Sequence, residues 1–359
     1  MTSEAADLLP RRSVRHLTRQ CLLATLSFSL VIQTLRPERS SDHFLSAKQR
    51  YFSEHKDEFD ILFIGSSRIY RAFDPLRFTE QLSPASDLKA FNFGVGGLRP
   101  HELDHLLRTL LESRPQRLRY VLIELMDWSP SLPIGLESHQ RTVDWHTLSA
   151  TWQACRTEGL SNNHWWTRIL SCQQHLALAA CRLINHGNGP RRWREWTDRE
   201  TPDTITETQL DNGHGFVALD RETTNRFRER RQRFLSHYYG IFLEQILAIE
   251  TTNRLHGNLS RFNIQAQRDQ QSWLLQQGLK PIYVIPNVRW GTPSLNCLES
   301  QEILSDVVTM NHPKRFPALY QPNHYFDRGH LNQVGAKSFS QILADLVRPH
   351  LAQSASNAR

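Results

Sequence analysis

The sequence predicts an α/β fold with a parallel sheet at its centre, and three observations lead there. Four short runs are apolar at nearly every position: residues 59–64, 88–93, 120–125 and 281–286. Strands covered by helices on both faces read this way, whereas strands with one wet face alternate. Between and after these runs lie segments with helical spacing. Leu103, Leu106, Leu107, Leu110 and Leu111 mark one over 100–113, and Ala336, Phe339, Ile342, Leu343 and Leu346 mark another near the end. Two of the strands also run directly into small turn-forming residues, Gly65-Ser66-Ser67 and Gly94 to Gly97. Ligands in open α/β sheets bind at such carboxyl ends.

The chain has 359 residues, 39% hydrophobic and 22% charged, which suits a globular protein with a sizeable core. Its formal net charge is +7, but the charge is not gathered in one tail, so no nucleic-acid-binding arm is indicated. The five cysteines form no Cys-x-x-Cys pair, which argues against a zinc site. There is no internal repeat and no glycine fingerprint for a nucleotide.

In chain order, residues 1–40 read as a cytoplasmic tail and signal anchor. Arg11, Arg12, Arg15 and Arg19 precede an uncharged stretch over 21–35, and Arg36 and Arg39 follow it. With the basic side retained, the rest of the chain is expected outside the inner membrane as a single-pass protein. Residues 41–57 read as a helix leading into the first strand. After the Gly-Ser-Ser turn, the stretch to residue 81 reads as irregular or helical. The second strand ends at FNFGVGG, the helix over 100–113 follows, and the third strand ends at Met126, Asp127 and Trp128. His101 and His105 read as exposed or capping histidines, and Glu124 as a partly buried, paired carboxylate.

Residues 129–268 read as a largely helical insertion between two parts of one domain, 41–128 and 269–351. Helical patterns lie at 164–184 and 225–249, joined by a turn-rich loop. The insertion holds Trp145, Trp152, Trp165, Trp166, Trp193 and Trp196, and an arginine-rich stretch over 226–234. The arginines suit a solvated helix face or an anionic substrate. Asp211 to Asp220 reads as a turn that includes His214. The fourth strand places Asn287, Arg289 and Trp290 at its carboxyl end. Residues 298–308 read as irregular or helical, and the tail over 352–359 as disordered.

The chemistry concentrates at the first strand's turn and near the carboxyl terminus. Ser66 and Ser67 are two hydroxyls at a strand end, with helix-start N–H groups beside them. Asp327 and His330, three apart, can point into one cleft. A serine, an imidazole and a carboxylate supply nucleophile, base and orienter for acyl transfer. Residue types alone leave open which serine attacks.

These residues carry a resemblance to the SGNH (GDSL-type) hydrolases. GSSR after an apolar strand resembles that family's first block, with Ser67 at the nucleophile position and Ser66 where an Asp is usual. DRGH followed by LNQVGA resembles the last block, with Asp327 and His330 as its Asp-x-x-His pair. FNFGVGG resembles the second block, with Gly97 as the best match to its oxyanion-hole glycine and Gly96 the next. The block that supplies an Asn to the oxyanion hole has no match, and Asn287 is considered in its place. The resemblance covers about 59–125 and 281–351. It implies a three-layer α/β/α sandwich with a flavodoxin-like parallel sheet, and a serine esterase or acyltransferase that needs no metal or cofactor. Ser67 and Gly97 would donate to the oxyanion, and Ser66, Arg68, Asp127, Trp128 and Asn287 would contact substrate. The expected substrate is an acylated polysaccharide of the envelope, met alongside envelope biosynthesis proteins. The alternatives are a lipid esterase and a non-catalytic envelope protein.

Overall fold

The protein is described here by a computed structural model, covering residues 16, 19–21, 23–24, 27–28, 31, 43–82, 87–128, 132, 140–160, 163–184, 210–222, 224–255, 257 and 259–356. Trp193, Trp196 and most of the turn-rich loop before residue 210 lie outside the described residues. In chain order the elements are α1 (His43–His55), β1 (Ile61–Gly65), α2 (Ser67–Ala72), α3 (Pro75–Leu82), β2 (Ala90–Gly94), α4 (Pro100–Glu112), β3 (Tyr120–Glu124), α5 (Gln140–Trp145), α6 (Leu148–Glu158) and α7 (Trp165–Leu183). Then follow α8 (Asn225–Arg233), α9 (Tyr239–Asn253), α10 (Arg261–Gln276), β4 (Lys280–Ile285), α11 (Pro293–Ser300), β5 (Val307–Thr309), β6 (Tyr325–Asp327), β7 (His330–Leu331) and α12 (Gln333–Ser356).

Five strands form one all-parallel sheet in the order β2-β1-β3-β4-β5. This is the expected α/β/α sandwich with flavodoxin-like order. The order reverses at β1, which lies between β2 and β3, and the carboxyl ends flanking such a reversal form a natural crevice. Within each strand the side chains alternate between two cores. Leu62, Ile64, Phe91, Phe93, Val121, Ile123, Tyr283 and Ile285 face α1, α4, α10 and α11. Ile61, Phe63, Leu122, Ile282 and Val284 face α2, α3, α9 and α12. Both faces are covered, which is why the runs are continuously apolar. Trimming a fully buried residue such as Leu62 to Ala costs about 2–5 kcal/mol.

Two glycines let the elements near the crevice approach closely. A Cβ on Gly94 would stand 2.2 Å from the Tyr70 backbone nitrogen in α2, and one on Gly65 would stand 2.4 Å from Ile69 Cγ1. Edge strand β2 is covered rather than open. Asn92 N–H donates to the His214 carbonyl at 2.8 Å, and the fully buried Lys48 donates to the carbonyls of Asn92 and Gly94 at 2.9 and 2.8 Å. Burial, and then the nearby Arg71, push the Lys48 pKa well below its ordinary value. The His214 turn therefore closes the sheet edge and stays out of the crevice.

Several sequence expectations are corrected. Residues 307–309 form a fifth strand, too short to show a pattern. Residues 225–253 are two helices joined by a π-turn over Phe234–Tyr238. The tail expected to be disordered is helical as far as Ser356. His101 is packed rather than exposed, stacked 5.6 Å from Trp145 and edge-on to Trp128 at 4.9 Å. The expected inner-membrane anchor is also overturned: among the described residues, no helix is long and apolar enough to cross a membrane. The stretch over 21–35 has 15 residues and includes Ser, Thr and Gln, whereas a span needs about 20 predominantly apolar residues. The single-pass, extracytoplasmic placement falls with it.

Candidate active site

The Gly-Ser-Ser turn is built by β1 and held by β3. Gly65 ends β1, Ser66 caps α2 by accepting from Arg68 N–H at 3.3 Å, and Ser67 opens the helix. Ser66 N–H donates to Glu124 Oε2 at 2.5 Å, and Arg68 Nε donates to Glu124 Oε1 at 2.7 Å. The Glu124 side chain is fully buried, so this carboxylate fixes the turn from below. From the other side, Asn92 Nδ2 donates to the carbonyls of Ile69, Tyr70 and Phe73, at 3.0, 3.3 and 2.6 Å. Its Oδ1 accepts from Gly94 N–H at 2.8 Å. One buried amide thus satisfies the carboxyl end of α2 and pins the helix to β2.

The imidazole facing Ser67 comes from the other end of the chain. In the small β6–β7 hairpin Asp327 pairs with His330, with Arg328 and Gly329 between them. Cross-strand partners face the same way, so the three-residue spacing puts carboxylate and imidazole side by side. His330 Nδ1 lies 2.9 and 3.1 Å from the two Asp327 oxygens, and His330 Nε2 lies 2.9 Å from Ser67 Oγ. With the proton on Nδ1 donated to Asp327, Nε2 is the free acceptor for the Ser67 hydroxyl. This is the nucleophile–base–orienter arrangement.

Asp327 has further partners. Gly329 N–H donates to its Oδ1 at 2.7 Å, and Arg230 Nε donates to its Oδ2 at 2.8 Å. Burial alone would raise the Asp327 pKa. The hydrogen bond and charge of His330, the Gly329 N–H and the Arg230 guanidinium outweigh it and hold the carboxyl below its usual range. Arg230 Nη2 also lies 3.1 Å from His330 Nδ1; because that nitrogen's proton goes to Asp327, this contact is electrostatic. Arg231 donates to the carbonyls of Tyr325 and Phe326, tying α8 to the hairpin.

Ser67, His330, Asp327, Ser66, Arg68 and Gly97 line one cavity of ≈ 690 Å³. Gly97 has φ +69°, in the left-handed region that favours glycine, and a Cβ there would meet only open space. Asp127 lines an adjoining cavity of ≈ 350 Å³, which shares Arg68 and Trp290 with the first. Two expected substrate contacts are corrected. Trp128 is buried against Phe262 and Ala266, and its backbone N–H is bound by Asn263. Asn287 spends its amide on the Leu319 carbonyl at 3.2 Å and the Tyr325 hydroxyl at 2.8 Å, so it supplies no oxyanion donor.

The supporting residues were harder to read. Glu124 was expected as a paired carboxylate, and its partner is Arg68. Asn92 shows in the sequence only as an amide in an otherwise apolar strand, and Arg230 only as one of the arginines over 226–234, with nothing to mark it as the partner of Asp327. Among the described residues, no group of three or more His, Cys, Asp or Glu side chains is placed to hold a metal ion. No protein-family model matches the chain, and no curated protein sequence matches it either.

Proposed function

We propose that this protein is a serine esterase or O-acyltransferase of SGNH type. The observation that carries the reading is the unbroken contact chain from Ser67 Oγ through His330 to Asp327, at 2.9 Å per link, assembled from segments 263 residues apart. The resemblance of GSSR, FNFGVGG and DRGH to the family's blocks supports it. Ser67 Oγ attacks the acyl carbonyl while its proton passes to His330 Nε2. Asp327 holds the tautomer and the resulting imidazolium. The bond between the acyl carbon and the alcohol oxygen then breaks, and the alcohol leaves with the proton from His330. Water or a second alcohol attacks the acyl-Ser67 ester, releasing acid or new ester and restoring the serine. The Ser67 and Gly97 N–H groups serve the oxyanion, each such donor being worth about a hundredfold or more in rate.

O-acylated carbohydrate fits the enzyme class the resemblance implies. The expected envelope location no longer supports it. Nor do the described tryptophans of the middle region, Trp145, Trp152, Trp165 and Trp166, none of which lines the cavity; Trp290, after β4, does. The test is labelling with a fluorophosphonate probe. Wild type and Ser66→Ala should label, and Ser67→Ala and His330→Ala should not. A folded wild type that does not label would overturn the reading.

A further inference from the structure

Among the described residues, the cavity over Ser67 is lined by seven arginines and two carboxylates, Asp327 and Glu229. Two of the arginines have carboxylate partners, Arg68 in Glu124 and Arg230 in Asp327. The other five are Arg99, Arg226, Arg233, Arg289 and Arg328, and among the described residues none of them is ion-paired. Arg328 lies over the Tyr238 ring at 4.6 Å, its Nε buried without a hydrogen-bond partner. Arg289 lies beside the Trp290 ring at 5.5 Å. Burial, and then the charge of Arg328, lower the Arg289 pKa, so these two guanidinium groups oppose each other where they stand.

The five come from four separate segments. Arg99 precedes α4, Arg226 and Arg233 are on α8, Arg289 follows β4, and Arg328 sits between β6 and β7. A solvated helix face accounts for arginines along one helix. It does not account for four segments converging on one concavity around a nucleophile. Guanidinium forks match carboxylate and phosphate oxygens bidentately, and a concave site of one sign concentrates counter-charge.

Resting on the serine-esterase reading, we propose that the substrate is an acyl ester whose alcohol portion carries a carboxylate or phosphate group, gripped by Arg226, Arg233, Arg289 and Arg328. Ser67 takes the acyl group and the anionic alcohol departs. Neutral esters, which gain nothing from these arginines, turn over slowly.

A matched series of aryl acetates tests this: methyl 4-acetoxybenzoate, 4-acetoxybenzoate and 4-acetoxyphenyl phosphate, each corrected for its rate with hydroxide. The two anions should exceed the neutral ester in kcat/KM by about tenfold or more at low salt, as expected for one charge-assisted contact. Added salt should shrink the preference, and Arg226→Gln with Arg289→Gln should abolish it. Arg226→Gln alone, on an exposed helix position, guards against misfolding and should reduce it. A larger effect with phosphate points to a phosphorylated alcohol, and a larger effect with carboxylate to an acidic one. Equal corrected rates, or a preference that survives the double variant, would overturn the proposal. If no ester turns over, the catalytic reading has failed and calorimetry decides the binding claim. Salt-sensitive binding of 4-hydroxybenzoate or 4-hydroxyphenyl phosphate, absent for 4-hydroxybenzamide and lost in the double variant, supports it; no binding overturns it.

Discussion

Arg230 Nε stands 2.8 Å from Asp327 Oδ2, so the carboxylate that orients His330 is shared with a cation from α8. A cation beside it favours the ionised form of Asp327. Arg230→Gln should therefore raise the Asp327 pKa and move the acid-side loss of stability to higher pH, as read by urea midpoints over a pH series. A transition that stays in place would mean that Arg230 only packs α8 against the hairpin.

Asp327 also links the site to stability in acid. Its folded-state pKa lies below the ordinary value, so its contribution is present above the unfolded-state pKa and is lost as pH falls through the depressed one. Asp327→Asn should flatten the acid side of the stability curve below about pH 4. It should also lower kcat by up to about 10⁴-fold, because an amide can hold the wrong tautomer. Urea midpoints at a series of pH values, with turnover at neutral pH, read both effects.

Histidines away from the site predict a second acid sensitivity. His146 and His175 sit 2.9 Å apart, nitrogen to nitrogen, under Trp145. Burial is the largest cause pushing His146 to about 3 and His105 to about 4. Both folded-state values lie below the unfolded one, so the unfolded chain binds protons first. Stability should fall as pH drops below about 6.5, and should continue to fall towards those values. His146→Gln should remove part of this slope in thermal melts; an unchanged slope would show that His146 is hydrated.

Glu124 ties Ser66 and Arg68 to the end of β3. Glu124→Ala leaves the Ser66 N–H and the Arg68 guanidinium without that partner and should cost about 3–5 kcal/mol, as breaking a buried pair does. Glu124→Gln keeps the volume and one acceptor. It should fold better, yet lose fluorophosphonate reactivity as Ser67 drifts from His330. Full labelling in a folded Glu124→Gln would show that the turn holds without the charge.

Asn92 offers a comparable test at the other side of the helix. Asn92→Leu is close in size but leaves the carbonyls of Tyr70 and Phe73 without that donor, while the Ile69 carbonyl keeps the Phe73 N–H at 3.0 Å. The expected loss is about 1–3 kcal/mol for each carbonyl that water cannot reach. Chemical denaturation measures it, and a loss below 1 kcal/mol in all would show that water enters the strand–helix gap.

The fold class and the proposed catalytic trio were legible because each leaves a local trace. A strand buried on both faces must be apolar at successive positions, as residues 61–64 are, and a strand that ends at Gly-Ser-Ser advertises its turn. Asp327 and His330 lie within one short hairpin, so their spacing alone brought them together. Residues that work across long separations left no such trace. Glu124 meets Arg68 across 56 positions, Asn92 reaches back to α2, and Arg230 reaches Asp327 across 97 positions. Their roles depend on which strands neighbour β1 and on where α8 lands. Trp128 and Asn287 misled for the same reason. Both stand at strand ends, but a side chain there can turn into the core as readily as into the crevice; α10 drew Trp128 inward, and the Leu319 carbonyl and Tyr325 hydroxyl drew Asn287. Short β5 was missed because three residues are too few to show a period. The sequence by itself determined the strand–turn–helix units and the chemical groups of the site, because these follow from patterns within a few residues. Only the tertiary structure decided what holds Ser67 against His330 and gathers five unpaired arginines around it, because those are contacts between segments whose meeting is set by sheet order and packing.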